Sequence, residues 1–246
     1  MALNFLASLP LLASLVLSYR AGAGTVYVAA DSRLTSTPAR LPDDTACKIR
    51  VLNDGVVFVG TGNALFSAER LKTNIYAVAG LVAASLPQRP LEVADIRRVA
   101  FAWQQTIHSR LSAMLAARGR PLTAAEISAT GTTGSFYGVV QNGDVYGVTV
   151  RIGIVSMREL SDIEEAEAQT GYLIATGTSE AKDRALAIAP QYAQLPWPGR
   201  LQAIEDETIR VEAARYGRRS EIGGPVDLIE ITSKGPVWLA RKAGCK

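Results

Sequence analysis

The chain predicts an α+β fold of two antiparallel sheets with helices on their outer faces. Three observations carry this. The apolar patterns run strands, two helices, strands, two helices, strands. The strands come in hairpins rather than alternating singly with helices, which argues against a doubly wound parallel sheet. No linker, internal repeat or low-complexity segment divides the 246 residues, a length that suits one large domain with a sizeable core.

The elements follow in order. Leu3 to Leu17 is almost wholly apolar. At about 15 residues it is short for a membrane span, which needs ~20, so no membrane span is expected. It fits the h-region of a secretory signal, with Ala21-Gly22-Ala23 as a small-x-small cleavage pattern. The expected organisation is a signal peptide or pro-segment over 1–23 and one domain over 24–246. The alternative makes Ser14 to Arg20 a first buried strand. With a leader the protein is secreted or periplasmic; without one it is cytoplasmic. Cys47 and Cys245 could pair in an oxidising compartment.

Thr25 to Asp31 reads as a strand ending in a charge, followed by a polar stretch with Pro38 and Pro42. Ala46 to Leu52 and Val56 to Val59 flank the hairpin signal Asn53-Asp54-Gly55. The second strand runs into Gly60-Thr61-Gly62-Asn63. Residues 63–86 predict a helix, with apolar positions at Leu65, Ala68, Leu71, Ile75, Val78 and Val82. Pro87 and Pro90 break it. A longer helix over 92–118 carries the stripe Ile96, Val99, Trp103, Ile107, Leu111 and Met114 and ends at Arg118-Gly119-Arg120-Pro121. His108 lies beside the stripe.

Strands return at Phe136 to Val140 and Val145 to Val150, around Asn142-Gly143. Glu164, Glu165 and Glu167 read as an exposed acidic loop. A short strand from Tyr172 to Ala175 leads into Thr176-Gly177-Thr178-Ser179. Helices over 179–188 and 200–216 follow. Val226 to Ile231 and Val237 to Arg241 close the chain around Ser233-Lys234-Gly235.

Composition narrows the chemistry. The net charge is +3, too small to argue for a nucleic-acid partner. With one His and two Cys, the supply of zinc ligands is nearly absent, and no metal or cofactor is expected. No phosphate-binding Gly-x4-Gly-Lys loop, Gly-x-Gly-x-x-Gly or Gly-x-Ser-x-Gly elbow occurs.

Four motifs in order resemble proteasome β-type subunits of the Ntn-hydrolase family. Val28-Ala29-Ala30-Asp31-Ser32-Arg33 is similar to that family's second-strand end. Lys48 follows Asp31 by seventeen residues, and Gly60-Thr61-Gly62 places its last glycine fourteen beyond Lys48. Thr176-Gly177 resembles a later Ser-Gly turn, and Ile222-Gly223-Gly224-Pro225-Val226-Asp227 the Gly-Gly entry to a late strand. The resemblance spans about 25–240 and implies a four-layer αββα sandwich that hydrolyses a peptide or amide substrate without metal. It implies that Lys48 lowers the nucleophile's pKa, Asp31 holds Lys48, the Gly62 N–H stabilises the oxyanion and Thr176 orients the nucleophile's α-amine. It also implies a homo-oligomeric ring.

The family's spacing puts the nucleophile sixteen residues before Asp31, at Leu15. Ser14 is one residue away and serves if the first hairpin holds one extra residue and cleavage follows Ala13. Gly24-Thr25 has the family's cleavage look, but Thr25 lies ~20 Å from Asp31 along an extended strand. Without a nucleophile, the same fold serves as an inactive subunit with a structural or binding role.

Overall fold

The computed structural model describes residues 14–33, 44–52, 55–62, 65–68, 71–87, 90–117, 131–153, 164–217 and 220–245. Among these, two five-stranded antiparallel sheets and four α-helices make a mixed α+β fold. The first sheet has the order β10-β1-β2-β11-β12. Its strands are β1 (Leu15–Gly22), β2 (Thr25–Ala30), β10 (Leu173–Gly177), β11 (Asp227–Thr232) and β12 (Gly235–Ala240). The second has the order β3-β4-β7-β8-β9. It holds β3 (Ile49–Val51), β4 (Val56–Gly62), β7 (Thr132–Val139), β8 (Val145–Ile152) and β9 (Glu164–Glu167). A separate ribbon pairs β5 (Leu65–Ala68) with β6 (Leu71–Asn74). The helices are α1 (Ile75–Ala83), α2 (Val93–Ala117), α3 (Ser179–Ile188) and α4 (Gly199–Tyr216). None of the described helices is long and apolar enough to cross a membrane.

Strand alternation sorts the core into three clusters. Val16, Val28 and Ile229 of the first sheet meet Val57, Val59 and Tyr137 of the second. The intervening residues Leu15, Leu17, Ala29 and Leu228 pack on Ala181 and Ala185 of α3 and Leu201 and Ile204 of α4. On the second sheet, Phe58, Phe136 and Val148 pack on Ile75 of α1 and Ile96, Val99, Trp103 and Ile107 of α2. This packing is consistent with a sandwich. The α2 stripe points as its spacing predicts: all six stripe residues are buried. Trp103 stands 5.5 Å from Phe58 and 6.0 Å from Phe136 by ring centroid, and its indole N–H donates to the Ile75 carbonyl at 3.0 Å. His108 is half-buried.

Two expectations change. The helix over 63–86 begins only at Ile75, because residues ahead of it fold as the β5–β6 ribbon. Asn74 sets the boundary: its side chain accepts from the Tyr76 and Ala77 N–H groups at 2.9 and 3.2 Å, an N-cap that fixes the first turn. The acidic loop is an edge strand, β9, paired with β8 from Val148↔Glu167 to Arg151↔Glu164. Leu15–Gly22 forms β1, hydrogen-bonded between β10 and β2, as the first-strand alternative has it. The Ala21-Gly22-Ala23 pattern sits at the β1–β2 hairpin. Residues 1–13, Pro38, Pro42, Asn53, Asp54, Asn63 and the 118–121 helix stop lie outside the described residues.

Candidate functional site

Antiparallel order brings one set of strand ends to one edge of the first sheet. The start of β1, the ends of β2 and β10, and the start of β11 all lie there. Asp31 follows the last residue of β2 and is wholly buried. Its Oδ1 accepts from the Leu15 N–H at 2.8 Å and from the Lys48 ammonium at 2.5 Å. Its Oδ2 accepts from the Gly223 N–H at 3.0 Å and the Arg33 N–H at 3.1 Å. One carboxylate thus ties together the start of β1, the segment ahead of β3 and the approach to β11.

Lys48 comes from the other sheet. It immediately precedes β3, and its carbonyl accepts from the Gly60 N–H at 3.2 Å. Both side chains of the pair are 0% exposed. Burial pulls the ammonium below the ordinary lysine range, and the Asp31 charge and hydrogen bond oppose that shift. A buried ammonium on a single carboxylate is a positioned positive charge in a dry setting, where its field is screened little.

The segment carrying Lys48 is stapled to the C-terminus. Cys47 and Cys245 form a disulfide across 198 residues. Beside it Lys242 pairs with Asp227 at 2.9 Å and also donates to the Ala46 carbonyl. Both side chains of this second pair are almost wholly buried, at 7% and 0% exposure. Arg33, two residues past Asp31, holds Asp44 with two contacts of 2.6 and 2.8 Å. The Arg33 hydrogen bond keeps the Asp44 carboxyl below its usual range.

Ser14 precedes Leu15 at the head of β1 and is 2% exposed. The β1–β2 pairing contains a β-bulge between Arg20 and Gly22, and with it the register still sets Leu15 rather than Ser14 against Asp31. Leu15, buried, stands opposite Asp31 and Gly177. Thr176 faces Val16, two residues deeper along β1 than Ser14. The neighbour of Ser14 is Thr178, whose N–H donates to the Ser14 carbonyl at 3.3 Å. Thr178 is the N-cap of α3, yet its side chain makes no cap hydrogen bond. Gly62 ends β4, two residues beyond Gly60, and is paired with Thr132. Its φ is +80°, and a Cβ there would strike the Gly131 carbonyl. Thr25 starts β2, at the opposite end from Asp31.

Gly177 is the tightest point of the site. Its φ is +144°, and a Cβ would run into the Ser14 carbonyl. Gly177→Ala is expected to cost on the order of 2 kcal/mol or more, because backbone rather than a flexible side chain must give way. Urea unfolding checks this, with Gly199→Ala as a control where a Cβ meets nothing.

One residue of this region escapes sequence reading. Glu205, on α4, is wholly buried, and among the described residues no well-formed hydrogen bond reaches either carboxyl oxygen. Its signal is positional: in the run Glu205-Asp206-Glu207 it alone falls on the stripe Leu201, Ile204, Thr208. Among the described residues, no group of three His, Cys, Asp or Glu side chains could hold a metal ion. No family model and no curated protein matches this chain.

Proposed function

We propose that this chain is a proteasome-like Ntn hydrolase, cleaving peptide or amide bonds on a four-layer αββα sandwich. The observation that carries the reading is the buried 2.5 Å contact of Asp31 and Lys48 at the head of β1, next to Ser14. Cleavage after Ala13 frees the Ser14 α-amine, a base that titrates near ~7.7–8.0. The hydroxyl oxygen then attacks the substrate carbonyl carbon and its proton passes to the amine. The C–N bond breaks, the leaving amine takes that proton, and water hydrolyses the acyl ester. Lys48 stabilises the negative oxygen of the nucleophile, and the Gly62 N–H is the proposed oxyanion donor, a role worth ~3 kcal/mol of barrier. The Cys47–Cys245 disulfide supports an oxidising compartment, secreted or periplasmic.

Intact mass of the purified protein tests the reading. A mature chain beginning at Ser14, labelled by a hydroxyl-directed electrophile and silenced by Ser14→Ala, is the expected result. A chain that begins at Gly24, or one that retains Ala13, overturns it.

A specific observation favours a second reading, an inactive subunit of the same fold. Leu15, not Ser14, stands sixteen residues before Asp31 and directly opposite it. In that case the probe labels nothing, and the protein assembles into a ring. A monomer by size measurement counts against the ring.

A further inference from the structure

Glu205 is an acid that neither the proposed reaction nor the ion pairs use. It lies on the face of α4 that packs against β1 and β2. Asp31 has the strand parity of Ala29, whose neighbours include Leu201 and Ile204 of α4. The sheet end therefore offers Asp31 to Lys48 from the second sheet and to Glu205 from the helix. The charges of Asp31 and Lys48 both act on Glu205, and that of Glu205 on Lys48.

We propose that Glu205 is a positioning residue of the Asp31–Lys48 pair. Neutral, it leaves Asp31 as the carboxylate that holds the ammonium. Ionised, it competes with Asp31 and slackens the contact that fixes Lys48 at the head of β1. This deepens the hydrolase reading, on which its relevance to catalysis rests; the three-residue cluster itself does not depend on a nucleophile.

The physical reason is desolvation. A carboxylate in a dry site, with only the backbone N–H of Asp31, among the described residues, near enough as a donor to favour its charge, is strongly disfavoured, so the proton stays. Burial, then the negative charge of Asp31, raises the Glu205 carboxyl well above its usual range, against the opposing charge of Lys48. The groups acting on it are Asp31 from the end of β2, Lys48 from ahead of β3 and Asp206 on its own helix. Lys242, paired with Asp227, acts on Lys48 as a like charge. As pH rises through the Glu205 transition, a second negative charge appears beside one ammonium, which the two acids must then share.

The test follows the Glu205 carboxyl carbon and the Lys48 Nζ resonance together by NMR of the full chain, from about pH 5 to about pH 10. The expected result is a protonated Glu205 at neutral pH and a Lys48 shift with the same midpoint. Glu205→Gln abolishes that step and leaves the Lys48 signal at its low-pH position. In Asp31→Asn, which removes the neighbouring negative charge, the Glu205 midpoint falls. Ser14→Ala gives the wild-type titration, so failure of the hydrolase reading and failure of this proposal are distinct outcomes. An ionised Glu205 at pH 6, a Lys48 signal indifferent to its ionisation, or a step that persists in Glu205→Gln overturns the proposal.

Discussion

Lys48→Met is expected to destabilise the protein by about 3–5 kcal/mol, the cost of leaving a buried charge without its counter-ion. Asp31 would keep its three backbone donors, Leu15, Arg33 and Gly223, but lose the ammonium in direct contact with it. Methionine has nearly the shape of the lysine stem, so the loss is electrostatic rather than a cavity. Both groups are wholly buried, so solvent does not screen the remaining charge. In a double-mutant cycle, Asp31→Asn with Lys48→Met should fall short of the summed single losses by about 1–3 kcal/mol. Strict additivity in urea unfolding would mean that the pair is not coupled. The pH sign follows from the lowered lysine. Between its depressed folded pKa and the ordinary ~10.4 of the unfolded chain, the unfolded state binds more protons, so this residue makes stability rise with pH there. Lys48→Met should remove that rise.

Loss of the Cys47–Cys245 disulfide should cost about 5 kcal/mol, since on the chain-entropy account the penalty grows with the loop closed, here 198 residues in separation. The double variant Cys47→Ser with Cys245→Ser isolates this from reshuffling. The effect should be local as well as global. Cys47 adjoins Lys48, and Lys242 holds both Asp227 and the Ala46 carbonyl beside the bridge. Urea midpoints with and without reductant measure it. A variant within about 1 kcal/mol of wild type would contradict the entropic account and assign the anchoring to Lys242 and Asp227.

Much of this architecture is legible in the residues. The α2 stripe, the turn at Asn142-Gly143 and the helix over 179–188 appear where their patterns put them. The meeting of Asp31 and Lys48 is what the family resemblance implies rather than what their spacing alone shows, and the two side chains touch at 2.5 Å. The failures have physical causes. Leu65, Ala68 and Leu71 match a helical period, but four-residue strands are too short for periodicity to separate from a helix turn. The apolar run that reads as a leader overlaps β1, which is buried on both faces: Val16 faces the second sheet while Leu15 and Leu17 face the helices, so the same residues satisfy either pattern. Glu205 is hidden among exposed acids, and only its place on the helical stripe sets it apart.

The order in which this site can come into being follows from its hydrogen bonds. Asp31 and Lys48 leave the ribosome early, but the Gly223 amide that completes the Asp31 shell is 192 residues downstream, and the cysteine that anchors the lysine segment lies further still. A nascent chain therefore carries both charges without the surroundings that lock them until Gly223 and Cys245 have followed. The charge pair is therefore locked only once β11, β12 and Cys245 have been made and the strands have joined the first sheet.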